Sequence, residues 1–65
     1  MSSLSARERQ VIRAVIKGAT NRQVSERLGV REQTVKNQLS VIYEKLQLRN
    51  RVELAMYAVR HGLAQ

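Results

Sequence analysis

Apolar residues recur along this chain at helical intervals. Val11, Ile12, Val15 and Ile16 make one stripe, with Arg9, Arg13 and Lys17 on the other side, which is the pattern of a helix with one face toward a core. Val24 and Leu28 stand one turn apart, and Val35, Leu39, Ile42 and Leu46 then recur at spacings of four, three and four. Near the end, Leu54, Ala55 and Ala58 can face inward, while Val52, Met56, Val59 and Leu63 form a second stripe. Start signals repeat ahead of these segments: Ser5 with Glu8, Thr20 with Gln23 and Asn50 with Glu53 all have capping-box spacing. Gly18, Gly29 and Gly62 mark stops, because a residue without Cβ takes the left-handed conformation cheaply. The pattern predicts helices at about 6–17, 21–28, 32–46 and 51–61, and no alternating strand pattern competes. The expected fold is all-α, a compact four-helix domain.

The third predicted helix has a second face that matters. At roughly 100° per residue, Gln33, Lys36, Asn37, Ser40 and Glu44 fall together, opposite the apolar stripe. Lys can donate to guanine O6 or N7, Asn and Gln can pair with adenine, and Ser is short enough to approach any base edge. By composition alone this is an ordinary solvated helix face. Its context points elsewhere: a short helix, a Gly turn and a second amphipathic helix make a helix-turn-helix, in which the second helix enters a DNA groove.

Composition narrows the choice. Twelve Lys and Arg against five Glu leave 65 residues with a formal charge of +7, which calls for a polyanionic partner, nucleic acid first and an anionic membrane second. The chain has one His and neither Asp nor Cys, so it lacks the parts of a Ser-His-Asp or Cys-His site and cannot close a zinc site. An enzyme, a metal site and a cofactor are therefore not expected, nor is a small-molecule ligand. Two tyrosines are the whole aromatic inventory, which disfavours single-stranded nucleic acid, usually held by stacking on aromatic platforms. No apolar run approaches the ~20 residues of a membrane span, and none at the N-terminus is long enough for a signal peptide. A soluble, cytoplasmic protein is expected.

Several linked motifs resemble the LuxR/FixJ/NarL/GerE-type helix-turn-helix domain of bacterial transcription regulators. They are Leu4-Ser5-x-Arg7-Glu8 with Val11, Gly18-x-Thr20-Asn21 with Val24, Leu28-Gly29-Val30, Thr34-Val35-Lys36-Asn37, Ile42-x-x-Lys45-Leu46 and Arg49-Asn50-Arg51-Val52-Glu53. Together they run from Leu4 to about Leu63. The resemblance implies a four-helix domain that sets its third helix in the major groove of double-stranded DNA, usually as a homodimer on a two-fold site. It implies that Lys36, Asn37 and Ser40 face bases. Thr20, Asn21, Arg22, Gln33, Thr34 and Lys45 would hold phosphates, although the Gln33 amide equally suits a base. The fourth helix commonly pairs with its mate in this family, which assigns Val52, Met56 and Val59 to a dimer contact. That patch is small, so pairing is expected to be weak or dependent on DNA.

Four positions depart from the family pattern. Arg31 stands where a Ser usually caps the recognition helix, so a cap worth ~1 kcal/mol is missing and a charge disfavoured by the helix dipole is present. Arg31 would lie near the DNA backbone and could hold a phosphate instead. Ser25 replaces Ala with little expected change in packing, Gln38 replaces His, and Gln47 replaces the Gly that usually ends the third helix. His61 reads as a C-terminal partner of its helix dipole, Tyr57 as core margin, and Tyr43 as an approach to the DNA backbone.

With no Asp, the chain cannot be its own aspartyl-phosphorylated receiver. A receiver or ligand-sensing domain is expected upstream, which makes residues 1–65 the C-terminal effector domain of a larger regulator; a complete small regulator is the alternative. RNA polymerase is a further candidate partner. The competing functions are a sigma region-four-like promoter and RNA polymerase binding module, and a basic amphipathic protein or membrane interaction module.

Overall fold

The computed structural model describes residues 4–63. In chain order it holds α1 (Ala6–Ile16), α2 (Asn21–Leu28), α3 (Glu32–Leu46) and α4 (Arg51–Arg60), with no strand among the described residues. The first and last helices end one residue earlier than expected, because Lys17 and His61 are their C-caps.

Capping explains where the helices begin. The Ser5 hydroxyl accepts from the Glu8 N–H at 3.1 Å while the Glu8 carboxylate accepts from the Ser5 N–H at 2.8 Å. Thr20 and Gln23 repeat this reciprocal pair ahead of α2. The third expected box closes only halfway. Asn50 Oδ1 accepts from the Glu53 N–H at 3.0 Å, but the Glu53 carboxylate reaches past Asn50 to the Arg49 N–H at 2.6 Å. Arg31 gives α3 no side-chain cap. Its carbonyl receives the Thr34 and Val35 N–H groups at 3.0 and 3.3 Å, so extended backbone alone starts the recognition helix.

The ends of α2 and α3 are both left-handed. Gly29 caps α2 with φ 67°, at no steric cost. Gln47 adopts nearly the same conformation after α3, at φ 57° and ψ 46°, where a side chain costs ~1–2 kcal/mol. The turn holds because Leu48 N–H returns to the Tyr43 carbonyl at 2.8 Å while the Leu48 side chain packs on the core. Gln47 therefore ends the helix where the family usually has Gly, with strain in place of freedom.

The core joins one face of every helix. Val11, Ile12 and Val15 of α1 meet Val24 of α2, Val35, Leu39 and Ile42 of α3, and Leu54 and Ala58 of α4, with Ala19 closing the α1–α2 turn. The stripes read from periodicity on α1, α2 and α3 are thus the buried ones, and Leu54 and Ala58 follow on α4, whereas Ala55, expected inward, is half-buried on the outer side beside Met56 and Val59. α2 lies mainly on α3 and α4 mainly on α1. One further expectation changes. Leu63 leaves the α4 outer stripe and packs on the core, drawn back by its N–H bond to the Ala58 carbonyl at 2.8 Å. Tyr43 is half-buried against the core. Ser25 is buried, and its hydroxyl donates to the Arg22 carbonyl at 2.6 Å, which meets the requirement that a buried polar group be bonded.

Two polar ties join segments distant in sequence. Lys45 Nζ sits 3.1 and 3.0 Å from the two carboxylate oxygens of Glu8, locking the last turn of α3 to the first turn of α1. Arg51 Nη2 donates to the Ala19 carbonyl at 2.9 Å, fastening the start of α4 to the residue before the α2 cap.

Candidate nucleic-acid interface

α3 is held on one side and open on the other. Val35, Leu39 and Ile42 are buried in the core, while Gln33, Lys36, Asn37, Ser40 and Glu44 are all exposed. A surface turned to water on a helix fixed by its opposite face is a rigid mount for recognition, since the protein need not rearrange to present it.

Its side chains are partly arranged among themselves. Gln33 Nε2 donates to Asn37 Oδ1 at 3.0 Å, an i to i+4 bond along the helix. This orients the Asn37 amide with its NH2 group and one oxygen lone pair still unused by that bond, the donor and acceptor that an adenine edge needs. The Ser40 hydroxyl donates back to the Lys36 carbonyl at 3.1 Å, leaving its oxygen as acceptor. Lys36 is exposed, and among the described residues its ammonium has no hydrogen-bond or ion-pair partner.

The expected phosphate contacts surround the entry to α2 and α3. Thr20, Asn21 and Arg22 line one shallow groove together with Glu32 and Arg51. The Thr20 oxygen accepts from the Gln23 N–H, so its hydroxyl proton remains to be offered to an anion. Asn21 Oδ1 is buried without a partner, so the part of its amide suited to phosphate is the NH2. Arg22 approaches Glu26 only at 3.9 Å with both side chains mostly exposed, a pairing too loose and too wet to compete with a phosphate. Arg31 is exposed and Thr34 half-buried at the start of α3. Gln38 is half-buried on α3, with Oε1 enclosed and unpartnered.

Lys45, expected at phosphate, has a carboxylate partner inside the domain. Its ammonium is bound to both oxygens of Glu8, so its charge is already neutralised within the domain. The Ser5 backbone N–H and, after it, the Lys45 ammonium hold the Glu8 carboxyl below its usual range. That bridge is not legible along the chain, because its two residues lie 37 positions apart.

Arg51 was missed. It reaches into the groove beside Thr20 and Asn21 and also fixes the turn that positions them. One signal was available: an arginine in the first turn of a helix opposes the helix dipole and needs some other reason to be there.

On α4, Val52, Met56 and Val59 are 69, 55 and 71% exposed, one contiguous apolar strip on the side away from the core. The His61 ring stacks on Tyr57 at 4.1 Å between centroids, as a C-cap residue lying over the last turn. Among the described residues there is no cluster of potential metal ligands, and no helix is long and apolar enough to cross a membrane.

A short capped helix, a left-handed glycine turn and a second helix with an exposed polar face define a helix-turn-helix DNA-binding domain. The family comparison agrees: residues 2–58 match the profile described as "Bacterial regulatory proteins, luxR family", and the chain belongs to that family. It is similar to the transcriptional regulatory protein LnrK of Bacillus subtilis, 39% identical over 61 residues, covering 94% of this chain and 28% of that protein. It is also similar to the transcriptional regulatory protein DesR of the same organism, 36% identical over 50 residues, covering 77% of this chain and 25% of that protein. Mb0914c of Mycobacterium bovis is 42% identical over 60 residues, covering 92% of this chain but 7% of that protein. The chain thus spans about a quarter or less of these relatives. Its function is DNA binding in transcription regulation, a binding role and not that of an enzyme family.

Proposed function

We propose that this domain reads a specific double-stranded DNA sequence by setting α3 into the major groove. Lys36, Asn37, Ser40 and Gln33 face base edges. Thr20, Asn21, Arg22, Arg31 and Thr34 grip phosphates and set the register, a division that follows from which groups can reach bases and which can only meet the backbone. Lys45 serves the fold through Glu8. Two copies pair on a two-fold site through Val52, Met56 and Val59, with DNA holding them together. The domain is one module of a longer cytoplasmic regulator whose input lies in another domain. RNA polymerase is a candidate partner of that regulator.

The observation that carries this reading is the exposure of the whole polar face of α3 while its opposite face is pinned in the core. Selection of bound duplexes from a random pool, followed by titration of variants, tests it. Lys36→Ala and Asn37→Ala are each expected to cost ~1–3 kcal/mol on the selected site and to relax base preference, whereas Arg22→Ala should weaken all duplexes alike and flatten the salt slope. Equal losses on selected and random DNA for all three variants would refute the assignment of α3 to base reading.

A further inference from the structure

Val41 is a large apolar side chain on α3 that is 46% exposed, and it has no part in the α3 core stripe, which Val35, Leu39 and Ile42 already complete. Helix formation does not account for it, since a β-branched residue is a poorer helix former than the straight-chain alternatives. The other exposed large apolar side chains, Val52, Met56 and Val59, all lie on α4. Its helical neighbours at three and four residues are Asn37, Gln38, Glu44 and Lys45, all polar. Val41 is therefore an isolated apolar branch at the margin of a polar face, about 40° around the helix from Asn37 and one turn further along.

Among the groups that base pairs show in the major groove, the thymine C5-methyl is the apolar one. We infer that Val41 is a specificity-determining residue that packs against the C5-methyl of a thymine in the bound site. The inference rests on the proposed placement of α3 in the groove and extends that reading surface by one turn. Four residues of helix rise about 6 Å, close to two base-pair steps of about 3.4 Å, so the thymine lies about two base pairs from the pair read by Asn37.

The test removes one methyl group at a time from the DNA. In the duplex selected from a random pool, each thymine is replaced singly by deoxyuridine, and binding of the wild-type domain and of Val41→Ala is measured by fluorescence anisotropy. Burying one methyl-sized group is worth ~0.8 kcal/mol, about fourfold in affinity. One thymine per half-site should lose about fourfold on conversion to deoxyuridine with the wild type, and be nearly insensitive to it with Val41→Ala. Because each comparison is a ratio within one protein, a change in folded fraction cancels. If the pool yields a defined site but no thymine loses its methyl dependence in Val41→Ala, the Val41 contact is wrong while base reading by α3 stands. If no sequence is enriched at all, both fail.

Discussion

Removing the Glu8–Lys45 bridge separates a structural role for Lys45 from a DNA-binding one. The ammonium lies 3.0 and 3.1 Å from the two carboxylate oxygens, with side-chain exposures of 38% for Lys45 and 12% for Glu8. Fully exposed pairs contribute ~0.2–1 kcal/mol and hydrogen bonds to charged groups ~1.5–3 kcal/mol, so this half-sheltered, two-pronged pair falls between them, at about 1–2 kcal/mol of coupling. In a domain of this size each kcal/mol moves the melting temperature by ~4–8 °C. Lys45→Gln and Glu8→Gln should each lower Tm by several degrees in a circular-dichroism melt, and the double variant should be less destabilised than the sum. Glu8 has its pKa lowered by folding; its contribution is therefore present above the usual carboxylate range and lost as pH falls through the lowered value. Melts repeated toward acid pH should show wild type and Glu8→Gln converging. Lys45→Gln, measured where it remains folded, should leave the salt dependence of DNA binding unchanged. Additive single and double variants, or a salt slope flattened by one phosphate in Lys45→Gln, would refute the structural role proposed for Lys45.

Other outcomes follow from the same structure. Gln47→Gly removes left-handed strain of ~1–2 kcal/mol and adds ~0.5–1 kcal/mol of unfolded-chain entropy, so a net stabilisation of about 0.5–1 kcal/mol is expected in a urea titration; a variant no more stable than wild type would contradict it. Val59→Lys, placed at a position 71% exposed, should leave the melt unchanged and abolish paired binding in sedimentation on a palindromic duplex, where an unaltered 2:1 complex would count against the α4 strip. If a pair of domains neutralises ~6–10 phosphates, affinity should drop ~10³–10⁵-fold between 50 and 200 mM salt, and a flat titration would contradict phosphate docking. Arg51→Met should lower affinity for specific and random duplexes together by loosening the Ala19 turn and removing a charge beside Thr20, detectable as parallel binding curves; a loss confined to one sequence would argue otherwise.

What the chain determined by itself was local. Helix positions, the reciprocal caps at Ser5 and Thr20, the left-handed stop at Gly29 and the buried sides of α1 and α3 all depend on residues within one or two turns, so periodicity and spacing carry them. The face of α3 bearing Lys36, Asn37 and Ser40 was legible for the same reason. Tertiary structure decided what depended on distant partners. Lys45 met Glu8, Arg51 met the Ala19 carbonyl, Glu53 passed over Asn50 to Arg49, and Leu63 turned back onto the core. Lys45 and Arg51 are long, flexible cations whose roles rest on the nearest acceptor in space, and neighbours along the chain do not reveal that acceptor. The α4 strip of Val52, Met56 and Val59 was legible from its spacing, whereas Val41 became visible only once the core had closed without it, because exposure is what remains after every other face has found its place.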